Sequence, residues 1–468
     1  MVRFLPLRGH RRRRRAFPVW LAHGTVLFAG NGLLLDARQP VFPAVAVLLW
    51  ERIERVRIEG QLSPFDDERP YVDLARRLRV QLGQPFGCEL VIRKRIVPRP
   101  DWTTKVEEHG LNYHTLYGQI YWDESAYYEF TLPQIDKIED VTNELHRMCL
   151  KAVERVVSRN LFDRLRIPPV AIPLVKSSWE RNEPHFYGRF DLWYDGQGEP
   201  RLLEYNADTP TALLEASVIQ WHWLQDVIGN SGDQFNSIHE KMLDYWRERK
   251  GSVEFLHVSC MKDSDEDLGN TAYVQDVAEQ AGIPTGFVYI DDIGFDGAAG
   301  NFVDEDDTPI RHLFKLYPWE WMFQEEFFER LYDTKIALFE PPWKSLLSNK
   351  AILAVLWEMY PDHPNLLPTY INDGAPPRLE SYVIKPFLAR EGANIRIVKD
   401  GAVIHETQGT YSVENSIVQA FAPLPEYDGN FPVIGSWVIG DRAAGIGIRE
   451  SATLVTDNLS RFVPHVLK

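Results

Sequence analysis

Cysteine is scarce: Cys88, Cys149 and Cys260 are the only three in 468 residues. They stand too far apart for a disulfide frame or a zinc-binding spacing, which leaves a reducing, cytoplasmic setting as the expectation. Positive charge is also in deficit. With 51 Lys+Arg against 67 Asp+Glu, the formal charge of −16 argues against nucleic-acid binding. An anionic chain can still hold a polyphosphate where local cations or Mg²⁺ gather. Hydrophobic residues at 44% and charged residues at 25% demand no membrane. A chain this long is expected to form two or three subdomains around a sizeable interior. Its 14 Trp, 19 Tyr and 24 Phe read as packing rather than as a stacking platform.

The cations are unevenly placed. Residues 1–100 hold 19 Lys+Arg, 18 of them arginine, against 9 Asp+Glu, so the rest of the chain carries the negative balance. We read 1–94 as an Arg-rich extension, either disordered or translated upstream of the true start, and 95–468 as the folded domain. Arg11 to Arg15 before Ala16-Phe17 resembles a twin-arginine export signal, with Val19 to Leu35 as its apolar stretch. Gly24, Gly30, Asn31 and Gly32 dilute that stretch, and no small-residue cleavage site is clear. Tyr71 to Leu82 reads as a short helix.

Within the domain, Ile135 to Phe162 has the apolar spacing of a long helix. Gly188 to Asp195 and Arg201 to Asp208 alternate at period two around Gly196-Gln197-Gly198-Glu199-Pro200, which predicts a β-hairpin. Arg189 and Asp191 then share a face, as do Glu204 and Asn206, with Phe190, Leu192, Leu203 and Tyr205 on the other. Hard oxygens from Asp, Glu and Asn suit Mg²⁺, and a guanidinium fork suits phosphate or carboxylate. A solvated hairpin face with a weak ion pair would use the same residue types.

Thr209-Pro210-Thr211 ends the strand, and Ala212 to Val227 reads as a helix whose start would favour an anion, or simply a threonine cap. A βαβ-like subdomain spans about 251–335: strand Ser252 to Ser259, an acidic loop with Asp263, Asp265, Glu266 and Asp267, helix Asn270 to Ala281, and strand Thr285 to Ile290. Lys350 opens a helix. Lys385 stands in an apolar strand, where a lysine needs an anionic partner. Ala389 to Asn394, with Gly392, forms a turn that by itself reads as an ordinary hairpin, and with the lysine-bearing strand could form a flap over phosphates. Strands follow at Ile417 to Pro423, Trp437 to Ile439, Ala444 to Glu450 and Thr453 to Thr456.

Arg-Phe-Asp at 189 to 191, Leu-Glu-Tyr-Asn-Ala-Asp-Thr-Pro-Thr at 203 to 211, Ser-Asn-Lys-Ala-Ile-Leu at 348 to 353, Val-Ile-Lys-Pro at 383 to 386 and Gly-Ile-Arg-Glu at 447 to 450 are five ordered landmarks. Together they resemble the synthetase domain of the glutathionylspermidine synthase family, from about residue 95 onward. No amidase domain precedes them, which suggests a synthetase alone.

The resemblance implies an α+β ATP-grasp fold with a pre-ATP-grasp domain, using ATP and Mg²⁺. It implies an acid–amine ligase that forms an amide through an acyl phosphate, with a small-molecule or peptide acid and an amine as partners. Arg189 would contact phosphate and the reacting carboxylate, while Asp191, Glu204 and Asn206 would hold Mg²⁺. Lys350 and Lys385 would hold ATP phosphates, with Glu391 and Gly392 in the flap. Gln419, Ala420, Phe421 and Ala422 would meet adenine, and Leu454, Val455 and Thr456 would complete that pocket. Arg449 would serve phosphate or the acyl group, and Thr209 and Glu266 the acid substrate. The competing readings are a non-catalytic ATP-binding module and a phosphotransferase that stops at the phosphorylated acid.

Overall fold

The computed structural model describes residues 90–468, apart from 230 and 375–378, together with three short strands near the N-terminus. The chain divides into two compact units at Cys88/Glu89. In the first, Val19–Ala22, Thr25–Phe28 and Leu34–Asp36 pair antiparallel in sequence order. The Arg11 to Arg15 run and the helix read over Tyr71 to Leu82 lie outside the described residues.

The second unit mixes helices and sheets. Its longest helix, Leu132–Ser158, starts at Thr131, whose N–H donates to Gln134 Oε1 at 2.8 Å, closing a capping box. Ile135, Ile138, Val141, Leu145, Met148, Ala152, Val153 and Val156 fill its buried stripe, as their helical spacing predicts. That stripe packs on an antiparallel five-stranded sheet. The strand order is Arg461–Val463, Arg442–Ser451, Phe431–Ile439, Tyr187–Trp193 and Arg201–Asn206, so the predicted hairpin forms one edge.

A second antiparallel sheet carries the predicted flap. Its order is Thr369–Ile371, Ser416–Ala420, Tyr382–Pro386, Arg396–Lys399 and Ala402–Glu406. The remaining large sheet is parallel, in the order Thr285–Phe287, Leu256–Cys260, His312–Leu316 and Ala337–Phe339. Leu256–Cys260 is buried at every position, as a covered parallel strand requires. This sheet runs past 335, because Ala337–Phe339 is its fourth strand.

Three local readings need correction. Asp265, Glu266 and Asp267 are not in a loop; they form the first turn of the helix Asp265–Gln280, where Ser264 Oγ accepts the Asp267 N–H at 3.1 Å. Carboxylates in that turn complement the helix dipole. Neither Thr209 nor Thr211 caps the following helix, since Ala212 intervenes at φ +66° and the helix enters a π-type stretch at Glu215–Ile219. Thr453 to Thr456 is not a strand: Thr453 to Val455 form a bend and Thr456 is irregular. Among the described residues no helix is long and apolar enough to cross a membrane.

Candidate active site on the hairpin and flap

The hairpin register pairs Arg189 with Asn206, Phe190 with Tyr205 and Asp191 with Glu204. Four polar side chains therefore share one face, while Phe190 and Tyr205 stack on the other with ring centroids 3.8 Å apart. Arg189 Nε donates to Asp191 Oδ1 at 2.8 Å, Nη2 to Oδ2 at 3.3 Å, and Nη1 to the Thr211 carbonyl at 2.7 Å. The next strand makes room for it. Gly435 lies opposite Asp191, and a Cβ there would stand 2.8 Å from Arg189 Cδ.

Asn206 Nδ2 donates to both Asp191 Oδ2 and Glu204 Oε1, each at 3.1 Å, so the two carboxylates converge on one carboxamide. The lysines arrive from outside the hairpin. Lys350 Nζ lies 3.2 Å from Glu204 Oε2 and donates to the Ala389 carbonyl at 2.7 Å; Lys385 Nζ donates to the Leu203 carbonyl at 3.0 Å. Lys350 precedes the helix Ile352–Met359 rather than opening it.

Burial and charge oppose each other in this cluster. Burial alone would raise the Glu204 carboxyl, yet Lys350 and Lys385 outweigh it and hold the group at about 2. Burial pushes Lys385 down to about 8 despite Glu204. For Asp191 burial prevails and its carboxyl is raised, with Arg189 opposing. Burial works against the Arg189 charge, but Asp191 outweighs it and the guanidinium stays above its ordinary range. Three cations meet two carboxylates and a carboxamide. Their oxygens suit Mg²⁺, and the surplus positive charge suits a polyphosphate.

The flap residues Glu391, Gly392 and Asn394 have φ of +56°, +68° and +53°. A Cβ on Gly392 would stand 2.7 Å from both the Thr456 carbonyl and Val455 Cγ1, so only glycine permits this approach. The flap thus meets the 454–456 segment directly. Ile395, Ile397 and Val455 form an apolar cluster with Val383, Phe421 and Leu454 packed against it. The structure places Phe421, Leu454 and Val455 together although more than thirty residues separate them. The Ala420 and Phe421 N–H groups donate to Pro368 and Ser381 carbonyls at 2.7 and 3.1 Å, while Gln419 Nε2 donates to the Leu202 carbonyl at 3.4 Å. Ala422 continues the chain beyond that strand.

A small cavity brings Arg449 to Arg189 and Asp191, with Ala212, Gly447 and Thr456 among its walls. Arg449 is held by carbonyls, donating to Ser460 and Asp457 at 2.9 Å each, and it lies over the Tyr121 ring. Thr209 Oγ1 accepts from Arg390 Nη1 at 2.9 Å, while Arg390 also grips Glu320 Oε1 at 3.0 and 3.1 Å. Glu266 acts through its charge, which together with burial raises Glu215 and Asp267 to about 7.

Sequence reasoning missed Arg390, Glu215 and Gly435. Arg390 stood in the flap beside Glu391 and could have been marked as a further cation there. Glu215 was visible as a lone carboxylate in the run Ala212-Leu213-Leu214-Glu215-Ala216. Gly435 gave no signal, because its role depends on a strand 246 residues from Arg189.

A family model described as glutathionylspermidine synthase preATP-grasp matches residues 93–468. The chain belongs to the glutathionylspermidine synthase family. Its α+β architecture is accordingly of the ATP-grasp type. Among relatives in this family, a Haemophilus influenzae protein described as a candidate acid–amine ligase is 43% identical over 382 residues, covering 78% of this chain and 97% of that protein. The bifunctional glutathionylspermidine synthetase/amidase of Escherichia coli is 28% identical over 375 residues, 74% of this chain and 60% of that protein. The trypanothione synthetase of Crithidia fasciculata is 29% identical over 347 residues, 67% of this chain and 52% of that protein.

Proposed function

We propose that this chain joins a carboxylic acid to an amine through an acyl phosphate, at the expense of ATP. An ATP-dependent acid–amine ligase is the enzyme class its family membership gives. A substrate carboxylate oxygen attacks the γ-phosphorus of ATP, the bond to the β–γ bridging oxygen breaks, and ADP leaves. The amine nitrogen then attacks the acyl carbon, the C–O bond to phosphate breaks, and the nitrogen releases its surplus proton to solvent.

Asp191, Glu204 and Asn206 are the residues that would hold Mg²⁺. When bound there, Mg²⁺ supplies charge neutralisation at the phosphate oxygens. Arg189 donates to the transferring phosphoryl group and aligns the attacking carboxylate; by analogy with an oxyanion-hole donor this contributes about 3 kcal/mol. Lys350 and Lys385 bind phosphates, and Glu391 and Gly392 cover them. Gln419 to Ala422 and Leu454 to Thr456 line the nucleotide pocket. Arg449 binds the acyl or phosphate group, with Thr209 and Glu266 toward the acid. Names of relatives built on glutathionylspermidine and trypanothione support a glutathione-like or peptide acid and a small amine.

The observation that carries this reading is the convergence of Asp191 Oδ2 and Glu204 Oε1 on one Asn206 amide, beside Arg189 and Lys350. An ADP-release screen over peptides and polyamines tests it. Turnover should require acid and amine together, yield amide by mass spectrometry, and fall at least 100-fold in Arg189→Ala and Asp191→Ala with unchanged circular dichroism. Wild-type turnover in Asp191→Ala contradicts the metal assignment. Tight ATP binding without turnover over the whole panel contradicts the ligase reading.

A further inference from the structure

On the Tyr205 side of the hairpin, away from the Arg189 to Asn206 row, three ligand-type side chains meet. His146 lies on the buried stripe of Leu132–Ser158, His185 stands two residues before Tyr187–Trp193, and Asp441 sits in the turn between Phe431–Ile439 and Arg442–Ser451. Asp441 Oδ1 is 3.2 Å from His146 Nε2 and 3.1 Å from His185 Nε2. One ligand atom from each residue lies within 4.8 Å of the other two.

The two separations from Asp441 Oδ1 match a coordination edge. Nitrogen and oxygen ligands about 2.0–2.2 Å from one tetrahedral Zn²⁺ stand ~3.3 Å from each other. The surroundings suit such an ion as well. His146 is 1% exposed, and burial favours the neutral imidazole that a metal ligates. Its other ring nitrogen, Nδ1, lies 3.4 Å from the Tyr205 hydroxyl, a partner of the kind that orients ligating histidines. The Asp441 side chain is 74% exposed, so an ion can enter and water can complete its shell. Two imidazoles with one carboxylate select a first-row transition dication over Mg²⁺, which prefers oxygen alone.

We propose that His146, His185 and Asp441 bind one Zn²⁺ or a similar transition dication, at a site separate from Asp191, Glu204 and Asn206. The three residues come from a helix, the approach to the hairpin and a sheet turn. A bound ion therefore cross-links three elements and stabilises the fold that binds it. The cross-link stands behind Tyr205, the residue between Glu204 and Asn206.

The test titrates the tag-free full-length protein with Zn²⁺ in saturating Mg²⁺, reading stoichiometry by dialysis and metal analysis, and Tm by thermal unfolding. One Zn²⁺ per chain and a raised Tm are expected. Asp441→Ala and His185→Ala should each weaken binding by about 100-fold or more and remove the Tm rise. Asp441 is exposed, so its substitution tests ligation without opening the core. Asp191→Ala should leave Zn²⁺ affinity within about twofold, since the proposed ligands lie elsewhere. Absence of Zn²⁺ binding, undiminished affinity in both Asp441→Ala and His185→Ala, or loss of the ion in Asp191→Ala would overturn the proposal. None of these readouts depends on ligase activity, so the two proposals fail separately.

Discussion

Glu215 shows how one residue can set a pH response. It is fully buried, and Tyr121 donates to its Oε1 at 2.7 Å. Burial, reinforced by Glu266, raises its carboxyl from 4.5 to about 7. Between those values the folded protein keeps a proton that the unfolded chain has released, so stability falls as pH rises through the window and levels off above it. The difference amounts to something on the order of 3 kcal/mol. Glu215→Gln should lessen the slope in that part of the profile, measured by urea unfolding between pH 4.5 and 8, while Asp267, raised to about 7 as well, keeps the remainder. An unchanged slope in the variant would assign the proton elsewhere. Arg189 illustrates a different dependence, on its neighbours' geometry: its three hydrogen bonds and the missing Cβ at Gly435 hold the guanidinium toward the shared face before any ligand arrives.

At the scale of elements, the hairpin joins the parallel sheet through a buried pair. Lys315 Nζ lies 2.8 Å from Asp208 Oδ1, Trp319 N–H donates to Asp208 Oδ2 at 2.8 Å, and both charged side chains are fully buried. Removing one partner strands the other charge, so Lys315→Met should cost about 3–5 kcal/mol in denaturant unfolding. A loss below ~1 kcal/mol would contradict the account of a buried pair whose members depend on each other.

The hairpin was legible because alternation and turn residues act within twenty positions. The long helix was legible from its apolar stripe. The Asp208–Lys315 pair was not, since its members are 107 residues apart. Other misses were local. Ser264-Asp265-Glu266-Asp267 carries its own helix-start signal, a serine three residues before a carboxylate, and acidity masked it. Glu215–Ile219 has the same apolar pattern whether the backbone is α or π, so periodicity could not separate them. The flap's meeting with 454–456 rests on the missing side chain of Gly392, which a sequence displays without saying what approaches it.

At the scale of the whole molecule, a chain of net charge −16 concentrates Arg189, Lys350, Lys385 and Arg449 around the hairpin and its neighbouring cavity. Under the proposed function, long-range charge would repel an anionic substrate, so its binding would rest on short-range hydrogen bonds and on the Mg²⁺ that Asp191, Glu204 and Asn206 would hold. The unit beginning at Glu89 contains every residue assigned to the reaction. The central claim is that phosphate passes onto the acid before the amine attacks, and oxygen isotope transfer tests it directly. With ¹⁸O in the substrate carboxylate, the full-length protein should release inorganic phosphate carrying one ¹⁸O atom for each amide formed. Amide formation with unlabelled phosphate would contradict the acyl-phosphate route.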